Sequence, residues 1–494
     1  MGGEGEAMAW QDVGPSMRAR VVRQWLRSGY RFRMAFGEPE GDAVALRYVF
    51  TDPDGDFRGI SSTTAVGAEV ESLVAVLPQA HWDEREMQDL CGLTLRDHPD
   101  ARPLLLPDAY DGPPPFLPSL VARSRPPWQP RVLSHHGIVH VPVGPVHAGI
   151  IETGHFAFSA MGETVLQLDL RLGWDHRGIE PMLAGRTLDE AIRVVERTCG
   201  NCSASHQEAF SQAVEAVQGR APTATTAVGR SLVLELERVY NHLNDLSQLA
   251  TGVGLAVLAQ QGLELKERSL RINAGAFGHR YLFGTIRPGW VRLPRDVAML
   301  GQDLHGLAQD SARWVDRLFS NAGFRDRAIG AGTVSRAAAL SLGAVGPIAR
   351  ASGIRADARV ERPYGAYRDT VPTVVTLEGG DVMARAEVRR QELLTALHLA
   401  LEFVARVGSD AAAVRAVPSV AFDLSGSGIG MTESPRGATL HYLHVARGRL
   451  LRYHMRTASF TNWPLIMVAA QDNPIGDFPL INKSFELCYA CSDR

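Results

Sequence analysis

The stretch Glu196-Arg-Thr-Cys-Gly-Asn-Cys-Ser-Ala-Ser-His206 organises the reading of the whole chain. Thr187-Leu-Asp-Glu190 just before it is a capping box that opens a helix. Leu188, Ala191, Ile192 and Val195 then recur at helical spacing, so one stripe faces a core. Gly200 breaks this helix directly after Cys199. Ser205-His-Gln-Glu208 reads as a second capping box, and Ala209, Phe210, Ala213, Val214 and Val217 give the following helix its apolar stripe. Cys199 and Cys202 are thereby predicted in a tight bend between buried helices, where both sulfurs can aim at one point.

A second pair lies at the other end of the sequence. Glu486-Leu-Cys-Tyr-Ala-Cys-Ser-Asp-Arg494 carries Cys488 and Cys491 at the same spacing. A structural zinc site is the plainest explanation for two such pairs, but zinc pairs usually lie within about 15–20 residues of each other. Here residues 203 to 487 intervene. A redox disulfide in each pair is the other plain reading. It is weakened by two pairs with shared flanking features that together close a whole domain. Four thiolates on a metal is the favoured reading.

The strings Arg-x-Cys-Gly-x-Cys-x-x-x-His and Cys-x-x-Cys-x-x-Arg resemble the two motifs of nickel–iron hydrogenase large subunits. Within that family the chain is most similar to the formate hydrogenlyase and hydrogenase-4 type, the membrane-associated branch related to respiratory complex I. The resemblance spans nearly the whole chain.

Bulk composition is compatible with a multidomain globular protein. With 494 residues there is room for more than one domain, and 45% hydrophobic with 21% charged residues is ordinary for a soluble core-forming chain. A formal net charge of −3 argues against a nucleic-acid surface. Lys266 and Lys483 are the only lysines, a bias we read as codon usage. No stretch approaches about 18 uncharged apolar residues, so no transmembrane helix is predicted. The start, Met1-Gly-Gly-Glu-Gly-Glu, lacks the regions of a secretory signal. Five cysteines in a long chain fit a reducing cytoplasm, and Cys91 reads as a buried core thiol.

The fold class is expected to be α+β. Residues 1–111 form a small α+β domain: a helix over 17–28, strands over Tyr30–Phe36 and Val44–Phe50, turns at Gly37–Asp42 and Asp52–Gly55, and a strand over Glu71–Leu77. Trp82-Asp-Glu-Arg-Glu-Met-Gln-Asp-Leu-Cys-Gly92 and Asp97-His-Pro-Asp-Ala-Arg102 look like the signature of the complex I 30-kDa subunit. A solvated acidic face is the alternative for the first string. The unit is read as a docking module. Residues 112–130, with Pro113-Pro-Pro115, form a proline-rich linker.

Residues 131–494 make a large, mainly helical domain resembling the hydrogenase large subunit and the complex I 49-kDa subunit, with a short β region at its start. Strands are expected over Ile138–Val143 and Gly149–Phe158, and helices over most of Pro222–Val407. Gly278-His-Arg-Tyr-Leu-Phe-Gly284 is rejected as a phosphate loop because it lacks a Gly-Lys-Ser/Thr ending and a preceding strand. Arg350, Asp357, Arg359 and Pro363–Tyr367 are expected to form a buried polar network.

The resemblance implies a site. Cys199 and Cys488 would be terminal ligands to nickel, and Cys202 and Cys491 would bridge it to an iron carrying carbon monoxide and cyanide. Thiolates are soft donors and suit these metals. Cys488 or Cys199 would be the first proton acceptor and Glu152 the next. Arg436, in Glu433-Ser-Pro-Arg-Gly437, would overhang the centre together with Pro435. Ser459, in Arg456–Pro464, and His206 would orient ligands. His176-Arg-Gly-Ile-Glu180 matches a string whose glutamate holds magnesium in some members; Arg494 is expected to stand in for that cation. The chain has Glu486-Leu487 where the family usually has Asp-Pro.

Iron–sulfur clusters are expected only in a partner, because no cysteines remain for one here. The implied partners are that iron–sulfur small subunit, membrane-anchoring complex I-like subunits and, where formate is coupled, a formate dehydrogenase, with no nucleic acid. The expected location is cytoplasmic, on the cytoplasmic face of the plasma membrane. The ending at Arg494 suggests a chain matured without proteolysis. The competing readings are a quinone-site subunit of a complex I-like enzyme and a metal-free assembly scaffold; the cysteine pairs set the first apart.

Overall fold

The computed structural model describes residues 8–120, 127–149, 151–407 and 423–494. Parts of the expected docking domain, linker and Gly149–Phe158 strand lie outside the described residues.

The N-terminal unit is a four-stranded sheet against helices Arg18–Arg27 and His81–Cys91. Strands Arg31–Glu40, Ala43–Thr51 and Phe57–Ala65 form an antiparallel meander, and Trp10–Asp12 adds parallel to the last. The first strand runs further than its sequence suggests: Pro39 pairs with Val44 and Glu40 with Ala43, leaving only Gly41-Asp42 as the turn. Pro39 is tolerated because this strand is the sheet edge, where a missing N–H breaks no central ladder. The strand expected over Glu71–Leu77 is not formed beyond Glu71. Glu84 explains this. It accepts the Leu73 N–H at 2.9 Å and the Ser72 hydroxyl at 2.5 Å, so a carboxylate takes the donor a ladder would need.

The helix His81–Cys91 is buried along most of its length. It is therefore not a solvated acidic face. Asp83 pairs with Arg456, Arg85 with Asp100 and Glu86 with Arg494, while Asp89 accepts the N–H groups of Leu104 and Leu105 at 2.8 Å. Two of those partners belong to the last third of the chain. Buried charges persist only when paired, and here the pairing fastens the N-terminal unit to the rest.

Strands Ile138–Val143, His155–Met161 and Thr164–Arg171 form a second antiparallel meander. The middle strand starts at His155, not at Gly149. The Thr153 N–H goes to Asp175 at 3.0 Å, and the Glu152 carboxylate takes the N–H of Ala490 at 2.9 Å. Helices Ala224–Gly252, Ala256–Phe277, Val297–Ser320 and Val382–Val407 pack side by side, with Leu232, Leu236, Val239, Leu243 and Leu246 fully buried between them.

The third meander, Gly426–Ser434, Gly437–Ala446 and Arg449–Arg456, lies on the helix Ser203–Gln218. Gly428 and Gly430 permit the contact. A Cβ would stand 2.2 Å from the Ala213 carbonyl oxygen at the first and 1.9 Å from that of Ala209 at the second. On the sheet's other side Met34, Phe36 and Val49 of the N-terminal sheet pack with Ile429, Met431, Leu440 and Tyr442. The chain ends in helices Ala458–Ala470, Phe478–Phe485 and Tyr489–Asp493. Among the described residues no helix is long and apolar enough to cross a membrane.

Candidate metal centre

The capping box at Thr187 is present, with the Glu190 N–H on the threonine hydroxyl and the Glu190 carboxylate on the Thr187 N–H. It starts the helix Leu188–Val195, whose stripe Leu188, Ala191, Ile192 and Val195 is buried. The second expected box is not used. The next helix begins at Ser203 with Cys202 as N-cap and no side-chain cap. Glu237, from the helix Ala224–Gly252, supplies the acceptor instead: it takes the N–H of Ala204 at 2.6 Å and of Ser205 at 3.1 Å, and the Ser205 hydroxyl. Burial pushes the Glu237 carboxyl up to about 7, against the pull of those donors.

The bend and the terminal segment converge. The sulfurs of Cys199, Cys202 and Cys491 lie within 4.8 Å of one another, and Cys488 Sγ is 3.3 Å from Cys199 Sγ. All four thiols are free. Backbone donors already address two of them: Asn201 N–H to Cys199 and Cys491 N–H to Cys488, each at 3.3 Å. Arg177 clamps both segments, donating to the carbonyls of Thr198 at 2.7 Å and Ala490 at 3.1 Å. Tyr240 and Asn241 hold the Asn201 carbonyl at 3.1 and 2.7 Å. The Thr457 hydroxyl holds that of Cys491 at 2.9 Å.

The electrostatics ask for a cation. Hydrogen bonds from the other three thiols hold Cys199 well below the ordinary thiol range. Cys202, Cys488 and Cys491 are pushed well above it, with Cys199 the leading cause in each. Four sulfurs this close, three of them buried, do not all ionise alone; bound metal would supply the missing positive charge. Soft thiolates at this density fit nickel and iron.

The remaining expected residues can be placed one by one. Arg436 donates through Nη1 to Asn241 Oδ1 at 2.9 Å and to Cys202 Sγ at 3.5 Å, and through Nε to the Glu486 carbonyl. Its turn is seated by a glycine contact: a Cβ on Gly437 would meet the Gly346 nitrogen at 2.6 Å. Pro435 is buried in that same turn. Ser459 Oγ accepts the Cys488 N–H at 3.0 Å. His206 Nε2 is 3.7 Å from Cys491 Sγ. Glu152 Oε2 is 4.0 Å from Cys488 Sγ, and its carboxyl is raised, chiefly by burial.

Arg494 sits between Glu86 and Glu180, with Nη1 3.1 Å from Glu180 and 2.5 Å from the Met455 carbonyl. His454 is 3.1 Å and Arg452 2.9 Å from Glu180. Despite burial, His454, Arg452 and Arg494 together hold the Glu180 carboxyl well below its usual range. Glu86, Glu180 and His454 have the spacing of a metal site; here the guanidinium occupies the position between the carboxylates.

Sequence reasoning missed Glu237, Asn241, Arg177, Thr457, Glu86 and His441. In sequence alone, Glu235, Glu237, Arg238 and His242 read mostly as structural ion pairs decorating the helix. Part of that holds: Arg350, Asp357, Arg359, Glu235, Glu392 and Glu433 do form a buried ionic network. What marks Glu237 and Asn241 apart is only that they point at the Cys199–Cys202 bend.

A four-thiol cluster gathered from a helix bend and the chain's last segment, under an arginine and against a complex I-like N-terminal unit, defines a hydrogenase large subunit. The comparisons with known proteins agree. The family described as nickel-dependent hydrogenase matches residues 177–251, which include Cys199 and Cys202. The respiratory-chain NADH dehydrogenase 30 Kd and 49 Kd subunit families match residues 19–119 and 253–423. Neither of those two segments contains a cysteine pair.

Hydrogenase-4 component G of Escherichia coli (strain K12) is 30% identical over 445 residues, covering 86% of this chain and 76% of that protein. Formate hydrogenlyase subunit 5 of the same organism is 29% identical over 493 residues, covering 95% and 86%. The carbon monoxide-induced hydrogenase of Rhodospirillum rubrum is 30% identical over 360 residues, covering 72% and 99%. Among solved structures, a chain of the membrane-bound sulfane sulfur reductase, an archaeal respiratory membrane complex, shares the fold with TM-score 0.67 at 23% identity, over 72% of this chain and 99% of that one.

The chain belongs to the nickel–iron hydrogenase large-subunit family, in the branch of hydrogenase-4 component G and formate hydrogenlyase subunit 5. It is an oxidoreductase, the catalytic large subunit of a membrane-associated hydrogenase that interconverts dihydrogen with protons and electrons.

Proposed function

We propose that Cys199, Cys202, Cys488 and Cys491 would hold a nickel–iron centre whose iron carries carbon monoxide and cyanide. The observation that carries this is the convergence of four free sulfurs from both ends of the domain. When bound, the nickel–iron centre supplies the two-electron chemistry of dihydrogen.

The chain's own groups handle the proton and the field. Cys488 Sγ holds the proton released from dihydrogen, and Glu152 Oε2, 4.0 Å away, receives it. Glu152 is exposed on its other side, so the proton can leave to solvent. Arg436 keeps a fixed positive charge beside the sulfurs; it cannot act as a base because guanidinium does not deprotonate. Asn241 aims it through the 2.9 Å bond. Ser459 and His206 fix the backbone of Cys488 and the sulfur of Cys491. Pro435 stiffens the turn that carries Arg436.

Residues 1–111 act as the docking unit, 112–130 as the connector and 131–494 as the catalytic domain. Electrons leave through iron–sulfur clusters of a separate small subunit. The only cysteine outside the centre, Cys91, is buried in the N-terminal core. Complex I-like subunits hold the assembly on the cytoplasmic face of the plasma membrane, and a formate dehydrogenase feeds it where formate is the electron source.

The deciding experiment is metal analysis of the matured protein with infrared spectroscopy. Nickel and iron together, with bands of bound carbon monoxide and cyanide, support the assignment; stoichiometric zinc without such bands ends it. Cys202→Ser should lose both metals, because it removes one of the four thiolates that would hold the centre.

A further inference from the structure

A line of hydrogen bonds leads away from Cys491. His206 Nε2 is 3.7 Å from the sulfur, and its Nδ1 is 3.0 Å from His441 Nε2. His441 Nδ1 is 2.9 Å from the hydroxyl of Tyr453. None of the four residues is more than 2% exposed. His206 comes from the helix Ser203–Gln218, His441 and Tyr453 from adjacent strands of the third meander.

We propose that Tyr453 and His441 are positioning residues that order this line into a one-way chain of donors ending on Cys491. His206 Nδ1 and His441 Nε2 face each other at 3.0 Å, so one of the two donates and the other accepts. A neutral imidazole has one donor nitrogen and one acceptor nitrogen, so fixing any one link fixes them all. The end residue decides it. If Tyr453 O–H donates to His441 Nδ1, then His441 Nε2–H donates to His206 Nδ1, and His206 Nε2–H donates to the sulfur. In the reverse order the phenolic hydroxyl accepts from His441. Its proton then has no acceptor among the described residues. A buried donor left unmade is costly, so the first order prevails. An N–H aimed at a thiolate withdraws charge from it, and hydrogen bonds to ligand sulfurs raise the potential of a metal centre. Tyr453, two residues removed from any contact with the sulfurs, thereby sets how much charge Cys491 offers.

The consequence for the potential rests on Cys491 being a ligand of the centre; the tautomer order does not. Full-length protein labelled with 15N-histidine reads the order directly, with His206→Gln and His441→Gln assigning the signals. Both rings should carry their proton on Nε2. In Tyr453→Phe at least one should move to Nδ1, and in the assembled enzyme the midpoint potential of the centre should become more negative. A proton on Nδ1 of His206 in the unsubstituted chain overturns the proposal even if the variant does not fold. So does Tyr453→Phe with tautomers and potential unchanged. Absence of nickel and iron would refute the ligand assignment and leave the tautomer result standing.

Discussion

Glu152 and Cys488 meet through the terminal helix: the carboxylate that stands 4.0 Å from Cys488 Sγ is the same one that accepts the N–H of Ala490 at 2.9 Å. The acid is thus tied to the backbone of the motif it serves. Glu152→Gln keeps an acceptor for Ala490 but cannot take a proton. Metal content should be unchanged, while dihydrogen turnover falls by about a hundredfold or more, the usual weight of a positioned acid–base group. Turnover within a few-fold of the unsubstituted enzyme would remove Glu152 from the proton path.

Arg436 reaches the Glu486 carbonyl, Asn241 and Cys202 at once with the fork of its guanidinium. A lysine keeps the charge and cannot make the three contacts together. Arg436→Lys should retain both metals and lose about a hundredfold in turnover, on the scale of removing one aimed donor from an active site. Asn241→Ala should move in the same direction to a lesser degree, since it frees the guanidinium without deleting it. Full activity in Arg436→Lys would show that only the charge matters.

The pairing of the N-terminal unit with the rest can be tested by comparing ion pairs. Asp83 is 1% exposed, lies 3.0 Å from Arg456 Nε and accepts the Ala35 N–H at 3.0 Å. Removing one partner of a buried pair leaves an uncompensated charge and costs about 3–5 kcal/mol. Glu69 and Arg96, at 3.9 Å with side chains 57% and 56% exposed, are a pair worth under about 1 kcal/mol. Calorimetry should therefore show a clearly lower first unfolding transition for Asp83→Ala and almost none for Glu69→Ala. Equal effects would mean that the Asp83–Arg456 pair does not fasten the units.

Much of this site was legible because its chemistry is local. Cys199 with Cys202, and Cys488 with Cys491, each sit within one turn, and soft-metal binding needs them there. Arg436, Ser459, His206 and Glu180 lie in short strings that can be matched by eye. The rest depends on long-range packing. Glu237 shares one helix with Glu235, Arg238 and His242, and helical periodicity alone gives all four the same look of paired charges, while Asn241 beside them carries no charge to mark it. His441 and Tyr453 are ordinary strand residues until the fold sets them beside His206. Glu86 was placed in a docking unit, and only the tertiary structure brings it to Arg494. The second capping box failed for the same reason: Ser205 and Glu208 have the right spacing, but a carboxylate from another helix arrives first.

His444 and Glu38 join the third meander to the N-terminal sheet at 2.7 Å, and their pH dependence follows from opposite shifts. The hydrogen bond that His444 donates to Glu38 lifts the imidazole above its ordinary 6.5, against partial burial. For Glu38, burial alone would raise the carboxyl, but the His444 bond and the charges of Arg47, His444 and Arg452 win and hold it below its ordinary 4.5. The histidine's contribution is complete below 6.5 and is lost as pH rises through its elevated folded value. The glutamate's is complete above 4.5 and is lost as pH falls through its depressed folded value. Between those two ordinary values both act together, so the contact is strongest in mildly acidic solution. In an unfolding series from pH 5 to about pH 8.5, His444→Gln should lower the midpoint most at the acidic end and converge with the unsubstituted protein at the alkaline end. A difference that stayed constant with pH would mean that His444 contributes packing and not charge.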